Sequence, residues 1–151
     1  VPVLAAAGAA TAMGGLGALV TDLGPWYFSL REPAWKPPDW AFGPVWTLIF
    51  SLSAIAGLMA WRRDTARRPL ILSLFALNGF FNLLWSILFF DLKRPDWALV
   101  EVGFLWLSIL ALIVRLAPIS RIASLMLAPY LIWVTIAAAL NLSVVRLNGP
   151  F

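Results

Sequence analysis

The sequence predicts an all-α integral membrane bundle of five transmembrane helices, with a long structured loop between helices 1 and 2. Three observations carry that reading. Of the 151 residues, 62% are hydrophobic and only 12% charged, whereas a soluble domain is about 45–50% apolar and about 25% charged. The mean hydropathy is +0.91. Charged residues are confined to short clusters, and the windows between them approach the ~20 apolar residues that a helix needs to cross the hydrocarbon core. Five such helices could not be covered by the residues that remain, so a soluble core is excluded on size. In lipid the backbone must satisfy its own polar groups, so each window is read as a helix.

The first window, Val1–Thr21, carries no charge. It has no basic n-region and its apolar run exceeds the usual leader h-region, so it reads as the first span rather than a secretory signal. Ala5, Gly8, Ala9, Ala12, Gly14 and Ala18 recur at three- and four-residue spacing, which permits close helix packing. Asp22–Asp39 follows, an eighteen-residue connection rich in Pro and Trp. A connection that long in a compact domain usually serves as a lid or binding loop. Trp40–Trp61 and Pro69–Phe90 are uncharged second and third spans, and Trp97–Val114 is a fourth carrying only Glu101. Ile122–Val145 is an uncharged fifth. The links Arg62–Arg68, Asp91–Asp96 and Arg115–Arg121 are six or seven residues each, so spans 2 to 5 are expected to be sequential antiparallel neighbours. The whole chain, 1–151, reads as one transmembrane domain.

Basic residues divide almost evenly between the two sides, but four arginines (Arg62, Arg63, Arg67, Arg68) crowd the loop between spans 2 and 3. The positive-inside rule then places that loop in the cytoplasm. A pI near 10.4 is accounted for by basic loops at a lipid headgroup surface and requires no nucleic-acid partner.

Composition also excludes chemistry. With no Cys and no His, a disulfide scaffold, a thiol nucleophile, a Cys/His zinc site and a His-based triad are ruled out. Both lysines, Lys36 and Lys93, lie in loops, so no span offers a Schiff-base lysine. Glu101 is the one acid inside a span, too few for an ion pump or proton relay. One turn into its helix, it is expected to snorkel to the headgroups or pair with Lys93 or Arg94.

The other span polar residues form a pattern. Asn78 and Asn82 share a face of span 3, with Trp85 three residues on; Trp46 and Phe50 share a face of span 2; Trp133, Ala137 and Asn141 form a stripe on span 5. Measured from the side of the long loop, Asn141 lies at ~6 Å, Trp85 at ~8 Å, Trp46 at ~9 Å, and Asn82 and Ala137 at ~12 Å. Taken singly, each residue is better read as structural, since Trp favours interfaces and Asn bonds helices together. Trp61 and Trp97, at span ends, are assigned to the interfacial belt. As a set they describe an aromatic pocket beneath the loop.

The loop itself is distinctive: Trp26-Tyr27-x-x-Leu30-x-x-Pro33-x-Trp35-x-Pro37-Pro38-x-Trp40-x-Phe42-x-Pro44-Val45-Trp46. Together with Asn82-x-x-Trp85-Ser86-x-x-Phe89-Phe90, Pro129-Tyr130-Leu131-x-Trp133 and Leu140-Asn141-x-x-x-x-Arg146, it resembles the TspO/MBR family, the tryptophan-rich sensory and translocator (peripheral-type benzodiazepine receptor) proteins. The resemblance implies a five-helix membrane protein, often a homodimer, that binds protoporphyrin IX or haem with no obligatory cofactor. It also implies sterols and benzodiazepine- or isoquinoline-type compounds as further ligands. By matching positions it implies a ligand site at Trp35, Trp40, Trp46, Phe50, Asn82, Trp85, Trp133, Ala137 and Asn141. Arg31, Lys36, Pro37 and Pro38 belong to the lid. The short chain is like those of bacterial members.

Two departures stand out. Glu32 replaces the family's Lys before the first Pro of the loop motif, leaving Arg31 and Lys36 as substitutes for the basic partner of a porphyrin carboxylate. Leu142 replaces the aromatic residue of a proposed sterol motif, a weak pattern even when intact. The leading function is a receptor or sensor for tetrapyrroles. The alternatives are a porphyrin or sterol transporter, or light-dependent porphyrin breakdown, which the resemblance links to Trp46 and which would place Trp46 and Phe50 at the reaction. No catalytic residue is otherwise expected, and no metal ligand.

Overall fold

The computed structural model describes residues 25–151 together with Leu4; the expected first span lies otherwise outside the described residues. What is described is helical, without strands. A short helix α1 (Pro25–Ser29) lies in the long loop and is followed by α2 (Asp39–Arg63) and α3 (Arg68–Ser86). A π-helical turn, Ile87–Asp91, extends α3, and α4 (Pro95–Leu116), α5 (Arg121–Met126) and α6 (Ala128–Asn148) complete the chain. Four segments are long and apolar enough to cross a membrane: Trp40–Arg63, Arg68–Asp91, Pro95–Leu116 and Arg121–Asn148. These are the second to fifth windows; the second is extended by two residues at its far end only, the others by one to three residues at each end.

Proline sets several boundaries. Lacking an amide hydrogen, it sits where helices begin with unpaired amides anyway, in the first turns of α3, α4 and α6. The fifth window is broken for the same reason: α5 ends at Met126 and α6 restarts just ahead of Pro129. Ser120 caps α5, its hydroxyl accepting from the Ala123 amide. Beyond the π-helical turn the Leu92 and Arg94 amides bond the Ile87 and Leu88 carbonyls. Lys93 takes the left-handed conformation between them (φ 53°), at a helix end where Gly is the common choice.

α4 is the centre of the described bundle, packed against α3 on one side and α6 on the other. Its inward face carries Ala98, Glu101, Val102, Leu105, Ser108, Ile109 and Leu112. Its outward face presents Trp97, Val100, Phe104, Leu107 and Val114, all exposed large apolar residues. An apolar stripe of that length facing outward is stable in lipid, as befits a multi-pass membrane protein. The expectation of sequential neighbours holds for spans 3, 4 and 5 but not for span 2. Helix α2 packs chiefly on α5 and less on α3, because Ala56, Ala60 and Ala123 are fully buried in one cluster and their small side chains let the helices approach.

Ala56→Leu should therefore overpack α2 against its neighbours and cost about 1–3 kcal/mol, while Ala139→Leu, on an exposed position of α6, should cost little. Thermal unfolding in detergent, followed by Trp fluorescence, measures both. Equal losses would mean that α2 is not seated through Ala56.

Candidate functional site

The site begins with a stripe on α2. Phe42, Trp46 and Phe50 follow at four-residue spacing, so they share one face. The Trp46 and Phe50 rings are stacked, with centroids 5.4 Å apart and planes 25° from parallel. Trp46 meets Tyr130 edge-on at 6.2 Å and Trp133 at 6.4 Å, and Phe42 meets Trp133 at 5.5 Å. These are favourable geometries for aromatic quadrupoles. Two helices thus form an aromatic corner.

Behind it runs a polar network that joins three spans. The Tyr130 hydroxyl accepts from Asn82 Nδ2 (2.8 Å) and donates to Asn78 Oδ1 (3.2 Å). Asn78 Nδ2 donates to Ser108 Oγ at 3.1 Å, which donates onward to the Leu105 carbonyl. Nearer the loop, Trp85 Nε1 donates to Asn141 Oδ1 (3.1 Å) and Asn141 Nδ2 to the Pro95 carbonyl (2.8 Å). Trp85 also stacks on Phe89. Asn141 is only 1% exposed and Tyr130 2%, and both bond neighbouring helices of the bundle.

The structure therefore brings together Trp46, Phe50 and Trp133 directly, and joins Asn82 to them through Tyr130. Trp85 and Asn141 form a second pair. Ala137 is half-buried on α6. Trp35 and Trp40 do not join the corner; they are 52% and 77% exposed. Sequence reasoning missed Tyr130 as the hub, although it stands inside a quoted motif, and missed Phe42 and Ser108.

The loop is held down at defined points. The Asn148 side chain reads the backbone of Arg31 from both sides, accepting from its amide (2.7 Å) and donating to its carbonyl (2.9 Å). Tyr27 is buried with Phe89, Phe90, Ala98 and Val144. The Arg31 side chain, in an exposed residue, remains available to a ligand. Lys36 does not: it bonds Glu32 at 3.0 Å and lies over the Tyr27 ring at 4.9 Å. The acid that replaces the family's Lys thus engages the cation that was expected to substitute for it. Pro37 is half-buried and Pro38 exposed, and Pro38 opens α2 with an extended backbone.

At the span ends, Arg68 lies over Trp61 at 4.9 Å and Arg94 over Trp97 at 4.2 Å. Such cation–π pairs suit residues anchored at the headgroup level. Glu101 departs from expectation. It is 6% exposed and neither carboxyl oxygen has a hydrogen-bond partner among the described residues. Arg94 pairs with Asp96 instead, at 2.7 Å, and Lys93 is exposed. Snorkelling fails because Glu101 faces inward, on the side of α4 that holds Ala98 and Leu105.

Among known proteins, residues 3–147 match the model of the TspO/MBR family. The chain is 38% identical to the tryptophan-rich protein TspO of Chlorobaculum tepidum, over 82% of this chain and 80% of that one. It is 37% identical to the protein CrtK of Rhodobacter capsulatus (89% and 85%). The human translocator protein is 31% identical over 82% of this chain and 75% of its own length.

Tyr130→Phe should leave Asn78 and Asn82 each short of a buried partner and cost about 1–3 kcal/mol. Thr135→Ala removes the bond to Trp106 Nε1, which lies at the exposed surface, and should cost less than ~1 kcal/mol. The comparison is again a thermal midpoint in detergent. A Thr135 loss as large as that of Tyr130 would deny Tyr130 its role as hub.

Proposed function

The chain belongs to the TspO/MBR family, and from that premise we propose that it is a membrane receptor or sensor for tetrapyrroles, protoporphyrin IX and haem among them. The observation that carries this reading is the aromatic corner. Trp46 stacked on Phe50 and set edge-on to Tyr130 and Trp133 offers flat faces to a flat macrocycle, and stacking gains energy beyond the area it buries. Few polar groups stand near it, which suits a pocket that orients a mostly apolar ligand. Five spans in one domain, counting Val1–Thr21, complete the bundle around it. The arginine-rich link between α2 and α3 faces the cytoplasm, and a homodimer in the bilayer is the working assembly. Sterols and benzodiazepine- or isoquinoline-type compounds are further candidate ligands.

Trp46→Ala should weaken protoporphyrin IX binding by about five- to 150-fold, the loss of an aromatic wall worth about 1–3 kcal/mol. Trp61→Ala, at the span end, should leave it unchanged. Ala137→Phe should exclude the macrocycle while the bundle stays folded. Titration of purified protein by Trp fluorescence reads all three. Equal losses for Trp46→Ala and Trp61→Ala would show that the corner is not the site.

The lid is proposed to act by shape. Pro33, Pro37 and Pro38 restrict its backbone, so little entropy is lost on closure, whereas an exposed ion pair contributes only ~0–1 kcal/mol. Replacing Trp35-Lys36-Pro37-Pro38 with Gly and Ser should cost more affinity than Arg31→Ala at low and at high salt. The opposite ranking would make the loop an electrostatic clamp.

A further inference from the structure

The buried polar groups of α3, α4 and α6 form a nearly closed account, and Glu101 is outside it. Asn78, Asn82, Ser108, Tyr130, Trp85 and Asn141 all have protein partners. Glu101 is as deeply buried as they are, yet both its oxygens stand unbonded by the described residues. No span contains a lysine or arginine away from its ends, and Val1–Thr21 contains none at all. Among the described residues no cation bonds this carboxyl, and Arg94 is paired with Asp96 instead. An acid left in that position is a functional group by default.

Its level in the bundle is fixed by its neighbours. Asn78 bonded to Ser108 sets the register of antiparallel α3 and α4, and seven residues along each helix bring Trp85 level with Glu101. On α6, the bonds of Asn141 to Pro95 and of Trp106 to Thr135 bracket it, which places Ala137 and Ala138 at the same height. Glu101 thus shares its level with a large aromatic ring and with two of the smallest side chains in the bundle.

We propose that Glu101 is the polar anchor of the ligand site, accepting a hydrogen bond from an N–H or ammonium group on an otherwise flat, apolar molecule. The inference rests on the aromatic site of the proposed function and adds to it a ligand class. Molecules with a nitrogen donor are selected over hydrocarbons of the same shape. To an ammonium this carboxyl offers a charge-assisted bond, stronger than the ordinary bond it accepts from a neutral N–H. Without a ligand it is a cost to the fold, because a buried polar group lacking a partner destabilises.

The test uses the full chain in detergent with two nearly isosteric fluorescent probes, 1-aminoanthracene and anthracene. Wild type should bind the amine about tenfold more tightly. Glu101→Leu should abolish that preference, so that the ratio of the two affinities falls to about one, and raise the thermal midpoint. Glu101→Gln, which keeps one accepting oxygen, should retain part of the preference. The same ratio in wild type and Glu101→Leu overturns the anchor. So does a clear fall in the midpoint of Glu101→Leu with Glu101→Gln unaffected, because the carboxyl would then have a structural partner. If neither probe binds the wild type, the aromatic site fails and the anchor with it.

Discussion

Inside a bilayer no water is available to complete a polar group's hydrogen bonds, so each one carried into a span has to be matched by another span. In this bundle the Tyr130 hydroxyl is one hub of that matching. It takes one bond from Asn82, gives one to Asn78, and through Asn78 reaches Ser108 on α4. One hydroxyl thereby ties three helices together at a single height, and hydrogen bonds have lengths and angles that apolar contacts lack. The ring that carries it also stands edge-on to Trp46. The register of the bundle and the wall of the aromatic corner are consequences of the same side chain.

The loop depends on that frame at its outer end. The π-helical turn after Ser86 carries one more residue per turn than an α-helix, which brings the successive Phe89 and Phe90 both inward. They form the bed for Tyr27, with Trp26 edge-on to Phe89 at 5.9 Å. Asn148, in the last turn of α6, fixes the next stretch by bonding peptide groups rather than side chains, so the contact is independent of the residue at position 31. Trp35 and Trp40 lie beyond these anchors and stay exposed.

Charge-free windows made the spans legible because lipid enforces them, and their edges fell within a few residues of the helices. Depth along each span was legible too, which is why Trp85 and Asn141, about 2 Å apart by that count, are bonded. The count uses backbone heights alone, however. It could not see the long Tyr130 side chain reaching Asn82, nor the break of the fifth window ahead of Pro129. The Lys36–Glu32 pair was readable in principle from its four-residue spacing, but both stand in a loop, where spacing does not imply a shared face. The burial of Glu101 rather than its exposure depended on the rotation of α4, which its mixed inward and outward faces decide only once α3 and α6 are in place.

The two walls of the corner are held by different forces. On one side α3, α4 and α6 are joined by directional bonds between side chains. On the other, Thr47 and Ser51 turn their hydroxyls back to carbonyls of α2 itself. Among the described residues no side chain within the α2 span bonds another span, and α2 rests on α5 through buried alanines. Apolar packing is non-directional and roughly proportional to the area covered, so a small shift of α2 changes its energy gradually. A shift within the other wall breaks a bond outright and leaves a polar group unpaired in lipid. The corner thus joins an adjustable surface carrying the stacked Trp46 and Phe50 rings to a fixed one carrying Tyr130. That division lets the α2 wall shift without disturbing the register on which the polar groups of the other wall depend.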